Sequence, residues 1–285
     1  MSKKRIKVAI AYDFDGTLAP GNMQEHSFIP TLGMDKASFW SKANHIAKEN
    51  DMDEILAYMQ LMLDEAKRKE LPIRRSDFEN YGKDISFFDG VEIWFDRINR
   101  YAKEQGLDTE HYIISSGLRE FIKGTRIASH FTNIFASGFR YDVNGVAQWP
   151  ALAINYTNKT QYLFRINKGI HNSYDNTVIN KFIPDNERPI PFKHIIYVGD
   201  GETDVPAMKM IKYQGGTAIA VFNPHGRAKN GKASPRQISE DLIKHERANY
   251  IAPADYREDS VLDKIIKRVL DKIATNAELE KLSAI

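Results

Sequence analysis

The chain has no cysteine among its 285 residues, which excludes disulfides, thiolate nucleophiles and cysteine-ligated zinc. It has no excess charge of either sign. The 40 Lys and Arg against 38 Asp and Glu leave a net +2, too little for a global field that would draw in nucleic acid or an anionic membrane. Local basic stretches such as Lys67-Arg68-Lys69 read as solvated helix ends. No segment approaches the roughly 20 apolar residues of a membrane span. The basic start Lys3-Lys4-Arg5 leads into an apolar run that Asp13 interrupts before it is long enough for a signal-peptide core. These absences lead us to expect a soluble, cytoplasmic protein without nucleic-acid or membrane partners, and the length favours a main domain plus a smaller one.

Apolar, strand-like runs recur at residues 8–12, 112–114, 134–136, 194–198 and 217–222, most with helical patterns between them. That alternation predicts an α/β fold with a doubly wound, Rossmann-like parallel sheet. The gap between the first two runs is too long for one crossover helix. It holds helical patterns at about 35–49 and 51–70, a shorter one near 76–83, and no strand. Residues 20–88 are therefore expected to form a smaller helical insertion after the first strand, on a core domain made of 1–19 and 89–285. Phe28, Phe39, Trp40, Tyr58 and Met62 read as the packing core of that insertion rather than as substrate contacts. Asn144-Gly145 signals a tight hairpin within 139–153, and 260–274 has the periodicity of a helix docked on the sheet.

Ligands of open α/β sheets bind beyond the carboxyl ends of the strands, so the polar residues there belong together. Asp13 and Asp15 end the first run, with Gly16 and Thr17 in the turn that follows. Ser115-Ser116-Gly117 ends the second, ahead of a helix near Leu118, where a hydroxyl and free amides suit an anion. Gly199-Asp200-Gly201-Glu202-Thr203-Asp204 ends the fourth. A basic partner is either Lys159 or Lys168. With Asn158 as N-cap and Gly169 as C-terminal stop, Lys168 falls in a last turn, where the helix dipole already accounts for it. Lys159 falls in the first turn, against the dipole, and is the better functional candidate.

With Asp-x-Asp-x-Thr at 13–17, a Ser after the second strand, a helix-borne Lys and Gly-Asp-Gly-x-x-Asp at 199–204, the chain resembles the haloacid dehalogenase-like hydrolase superfamily. The helical insertion is similar to the first type of cap domain in its phosphoserine-phosphatase-like branch. The resemblance implies a Mg²⁺-dependent phosphatase acting on a small phosphorylated metabolite. Phosphate monoesters need up to ~10²¹-fold acceleration while a general acid supplies about 10²–10⁴, so a covalent step and a metal would carry the rest. By resemblance Asp13 is the nucleophile that becomes an aspartyl-phosphate, and Asp15 protonates the leaving alcohol and then activates water. Crowding by other carboxylates favours a protonated Asp15.

The resemblance further implies Mg²⁺ held by the side chains of Asp13 and Asp200 and the carbonyl of Asp15, with Asp204 as an indirect metal partner. Ser115 (or Ser116, one position on) and Lys159 would hold the phosphoryl oxygens. Relatives that read phosphoserine carry a Glu nine positions beyond the nucleophile; here Asn22 stands there, with Glu25 nearby, so phosphoserine is not the expected substrate. A phosphomutase of the same superfamily and a phospho-accepting signalling module are the competing readings.

Overall fold

The computed structural model describes residues 5–228 and 233–283. The chain starts with β1 (Ile6–Tyr12), then passes through four helices, α1 (Phe28–Thr31), α2 (Lys36–Glu49), α3 (Glu54–Arg68) and α4 (Arg75–Gly82), before α5 (Val91–Glu104) returns it to β2 (Leu107–Leu118). Next come α6 (Arg119–Gly124), β3 (Phe131–Tyr141), β4 (Ala147–Leu152), α7 (Lys159–Lys168) and α8 (Thr177–Asn180). The last part runs β5 (Ile195–Gly199), α9 (Val205–Tyr213), β6 (Thr217–Phe222), α10 (Pro235–Lys244), β7 (Tyr250–Pro253) and α11 (Val261–Ser283).

The strands form one seven-stranded sheet in the order β4-β3-β2-β1-β5-β6-β7, parallel except for the β3–β4 hairpin. β1 lies in the middle, and its period-two alternation serves two cores. Val8, Ile10 and Tyr12 face one, Ala9 and Ala11 the other, and all five are fully buried. A parallel strand covered by helices on both faces needs such an uninterrupted apolar run.

The expected hairpin turns at Asp142–Gly145, where Gly145 takes a φ of +75° and the Asp142 side chain accepts from the amides of Asn144 and Val146. Asp35 and Asp53 cap α2 and α3 through side-chain bonds to Ser38 and to Ile55 and Leu56. Asn158 departs from expectation. It stands before α7 without capping it, because its side chain is used by the Asn155 amide and the Ala153 carbonyl. Gly169 ends α7 in the left-handed region, as its position suggests.

The segment between β1 and α5 is helical, and it does not pack as one block. α2 and α3 pack on each other, whereas α4 packs against α6 so closely that a Cβ at Gly82 would stand 1.9 Å from the Phe121 carbonyl oxygen. At the start of α4, the Ile73 carbonyl accepts from the Ala147 amide and the Arg75 amide donates to the Gly145 carbonyl of the hairpin. β7 and the last nine residues of α11 lie beyond the elements the sequence pattern suggests. No described helix is long and apolar enough to cross a membrane.

Candidate active site

β2, β1 and β5 are neighbours, so the polar segments after β1 and β5 and the Ser115–Gly117 segment, which lies within the last residues of β2, share one edge of the sheet, where the strand order reverses about β1. The Asp13 amide donates to the Val198 carbonyl at 2.9 Å, which carries the β1–β5 pairing one residue past the strand and fixes where the first carboxylate leaves the sheet. The chain then turns at Gly16, whose φ is +71°. A Cβ there would lie 2.0 Å from Asp200 Oδ2, so only glycine lets the β1 turn and the β5 turn approach this closely.

Asp13 is buried, with one oxygen accepting from the Phe14 amide at 2.7 Å and the other 2.8 Å from Lys159 Nζ. Asp15 Oδ1 accepts from the Met23 amide at 2.8 Å. Lys159, fully buried in the first turn of α7, spans from Asp13 to Asp204 Oδ1, 2.7 Å away. Asp204 also accepts from the Tyr197 hydroxyl at 2.6 Å and from the Asp200 amide at 3.0 Å. Ser115 Oγ accepts from the Gly117 amide, which leaves its own hydrogen free to donate. Lys168 is elsewhere: its ammonium donates to the carbonyls of Ile179 and Lys181. The structure thus brings Asp13, Asp15, Ser115, Lys159, Asp200 and Asp204 together and leaves Lys168 out. Ser115 and Ser116 both line the same cavity.

Burial raises the Asp13 carboxyl to about 6, with Lys159 pulling it down and Asp204 pushing it up. Burial, then the neighbouring Asp13, hold Asp15 well above the carboxylate range. Burial and the charges of Asp204 and Asp13 do the same to Asp200. Burial alone would lower Lys159, but Asp13 and Asp204 more than offset it and keep it charged.

Four carboxyl groups face one ammonium among the described residues, so the cluster is short of positive charge. One oxygen each from Asp13, Asp200 and Asp204 lie within 4.8 Å of one another. All the donors are hard oxygens, which suits Mg²⁺. Asp204 has its oxygens committed to Lys159, Tyr197 and the Asp200 amide, which fits an orienting role better than direct ligation.

Several contacts were not foreseen. Tyr197 reaches Asp204 from within β5, and the only sequence signal was a buried tyrosine, whose hydroxyl requires a partner. The Tyr58 hydroxyl donates to the Ser116 carbonyl at 2.7 Å. Tyr58 and Trp40 both line the cavity, so their reading as packing core alone is corrected; Phe28, Phe39 and Met62 are buried in the core as expected. The cavity, about 600 Å³, extends from the aspartates to the faces of α2 and α3.

The sequence matches the family profile of haloacid dehalogenase-like hydrolases across residues 10–209. The chain belongs to this family. An uncharacterized protein of Borreliella burgdorferi is 30% identical over 302 residues, covering 96% of this chain and 99% of its own length. Among solved structures, a phosphoserine phosphatase carrying a phospho-aspartyl intermediate analogue aligns with a TM-score of 0.54 and 17% identity, over 93% of this chain and 99% of its own. A HAD family hydrolase from Salmonella enterica serovar Typhi aligns with a TM-score of 0.53 and 18% identity, over 85% of this chain and 66% of its own. These structural likenesses establish the haloacid dehalogenase-like fold, with β1, β2 and β5 at its centre.

Proposed function

We propose that the chain is a Mg²⁺-dependent phosphatase of small phosphate monoesters, working through an aspartyl-phosphate on Asp13. The observation that carries the reading is the unequal setting of the two β1 aspartates. Asp13 is paired with a buried ammonium, whereas Asp15 has only a backbone amide and stands among carboxylates. One is suited to be a nucleophile and the other to carry a proton.

In the proposed reaction the Asp13 carboxylate attacks phosphorus in line, and the bond from phosphorus to the ester oxygen breaks. Asp15 gives its proton to that oxygen, and the alcohol leaves. Asp15, now a carboxylate, takes a proton from a water that attacks the phosphoryl group, which frees phosphate and restores Asp13. The Ser115 hydroxyl and the Lys159 ammonium hold the non-bridging oxygens, with Ser116 in place of Ser115 as the variant assignment. Asp204 holds Lys159 and the Asp200 amide in position. Mg²⁺, bound by Asp13, Asp200 and the Asp15 carbonyl, would neutralise the charge of the phosphoryl group. Residues 20–88 would act as a cap domain over the core of 1–19 and 89–285, with α2 and α3 closing the cavity and excluding water.

Release of inorganic phosphate from an aryl phosphate tests this. Turnover should require Mg²⁺, disappear in Asp13→Asn and fall at least a hundredfold in Asp15→Asn, on the order of a lost general acid. Unchanged turnover in either variant would refute the assigned roles. Return of the phosphoryl group to product without free phosphate would instead favour a phosphomutase.

A further inference from the structure

Ser115 and Lys159, the groups proposed to hold the phosphoryl oxygens, stand on separate segments, and a closed set of hydrogen bonds joins those segments to each other and to α3. Ser137 of β3, fully buried, donates to the Ser116 carbonyl at 3.0 Å and accepts from the Ile154 amide at 3.0 Å. The Tyr58 hydroxyl of α3 donates to the same Ser116 carbonyl at 2.7 Å. At the other end of the set, Asn155 Nδ2 donates at 2.7 Å to Oδ2 of Asp53, the N-cap of α3. α3 belongs to the insertion, yet it bonds to both segments that would serve the phosphoryl group.

Asn155 matters most for Lys159. Its Oδ1 accepts from the Thr157 and Asn158 amides at 3.1 and 3.0 Å, its own amide donates to Asn158 Oδ1, and its carbonyl accepts from the Lys159 amide at 3.2 Å. α7 has no side-chain N-cap, so these bonds define the turn from which Lys159 departs. Because amides occupy Oδ1, the end of Asn155 that faces Asp53 is the NH₂ donor. Asp53 is committed in the same way: Oδ1 accepts from the Ile55 and Leu56 amides, and Oδ2 is left for Asn155. A helix cap and a loop turn thus share one hydrogen bond, and a shift of either is passed to the other.

We infer that Asp53 and Asn155 are positioning residues, whose hydrogen bond makes the placement of the Lys159 ammonium depend on the seating of α3. Neither residue lines the cavity, so their effect is exerted through Lys159. This rests on the phosphatase reading of the same site and adds a part of the insertion to what sets its phosphoryl-binding groups.

Three variants of nearly unchanged shape test it: Asn155→Asp, Asp53→Asn and the two together. Asn155→Asp keeps the acceptor for Thr157 and Asn158 and sets two carboxylate oxygens against each other. Asp53→Asn keeps a good N-cap and sets two NH₂ groups against each other. The double variant restores a donor facing an acceptor, with the direction reversed. The readouts, at pH 8 with Mg²⁺, are kcat for an aryl phosphate, the inhibition constant of inorganic phosphate, and Tm. The inhibition constant does not depend on how much of a sample is folded.

Asn155→Asp should raise that constant about tenfold and lower kcat about tenfold or more, the scale of a displaced binding group. Asp53→Asn should move both the same way by less, and the double variant should return both to within about threefold of wild type. An unchanged phosphate constant in Asn155→Asp, with Tm alone lowered, would assign the pair to stability and overturn the inference. A double variant no better than the single ones would overturn it as well. Where Asn155→Asp folds poorly, Asp53→Asn against the double variant gives the same comparison. Absence of Mg²⁺-dependent aryl phosphate turnover in the wild-type protein would be a separate result: it would refute the phosphatase reading itself, and this inference with it.

Discussion

Lys159 Nζ lies 2.8 Å from Asp13 Oδ2, in the first turn of α7, where the helix dipole disfavours a cation. The local cost is offset by two buried carboxylates, since Asp204 stands on the other side of the ammonium. Lys168, in the last turn of the same helix, follows the dipole rule and ties α7 to α8 and the residue after it. The two lysines should therefore respond differently to truncation. Lys159→Ala leaves Asp13 and Asp204 buried without their cation, and should cost about 3–5 kcal/mol of stability as well as abolishing turnover. Lys168→Ala loses hydrogen bonds to two carbonyls and should cost about 1–3 kcal/mol while retaining most of kcat. Urea unfolding and aryl phosphate kinetics on both variants separate the outcomes, and a larger loss of kcat in Lys168→Ala would reverse the assignment.

On the Mg²⁺-dependent reading proposed above, the proton affinity of the carboxylate cluster should make metal binding depend on pH. Asp13 is raised to about 6 and Asp200 well above the ordinary range when no cation is present, both chiefly by burial. A group raised in this way takes up protons on folding, so the metal-free protein loses stability as pH rises through that range. Mg²⁺ competes with those protons. Its stabilising effect should therefore be small at pH 5 and grow as pH rises through 6 and beyond, reaching about 2.7 kcal/mol at a hundredfold excess over its dissociation constant. Thermal melts with and without Mg²⁺ at pH 5, 6 and 7.5 read this out. A Tm gain independent of pH would mean that these carboxylates do not hold the ion.

The fold was legible wherever one local pattern decided it. The apolar run ending at Tyr12, the helical patterns at about 35–49 and 51–70 and the turn at Gly145 depend on nearest neighbours, and the structure places their elements within a few residues of expectation. β7 was not legible, because four residues ending at Pro253 become a strand only by pairing with β6. The same division runs through the site. Asp13 and Asp200 directly follow β1 and β5 and Ser115 lies in the last residues of β2, so they can be picked out one by one, whereas Tyr58 and Tyr197 matter only through what the fold brings opposite them. Trp40 and Tyr58 show the limit most directly, since both rings pack against neighbouring aromatic rings of α2 and α3 and both line the cavity. A sequence pattern registers the packing and is silent on the rest.

Gly16 should tolerate no side chain. Its positive φ already disfavours alanine, and the added Cβ would meet Asp200 Oδ2 at 2.0 Å. The strain could be relieved only by moving the Asp200 carboxylate or the turn itself. Gly16→Ala is expected to lose about 1–2 kcal/mol of stability from backbone strain and to weaken Mg²⁺ activation, with a higher Mg²⁺ concentration needed for half-maximal turnover. A variant that kept the wild-type Mg²⁺ dependence would show that the two loops need not meet so closely.

Below the site, a chain of hydrogen bonds runs from Trp94 through Tyr12 and His111 to Asn99. The Trp94 indole donates to the Tyr12 hydroxyl at 2.9 Å, Tyr12 meets His111 Nδ1 at 3.1 Å, and His111 Nε2 meets Asn99 Oδ1 at 2.9 Å. The carbonyl oxygen of Asn99 only accepts, so Nε2 carries the proton and Nδ1 accepts from Tyr12. The imidazole is neutral, and burial, with His130 adding to it, pushes His111 down to about 3. Unfolded, it would take up a proton near 6.5. A folded-state value below the unfolded one means stability that is complete above pH 6.5 and is lost as pH falls towards 3, at up to about 1.4 kcal/mol per pH unit. In His111→Phe the Tyr12 hydroxyl loses its acceptor, which should cost about 1–3 kcal/mol at pH 7.5. The variant also lacks this titration, so the stability gap to the wild-type protein should narrow as pH is lowered from 6.5 to 5. Urea unfolding of both proteins across that range measures the gap, and a constant gap would show that His111 is not held neutral.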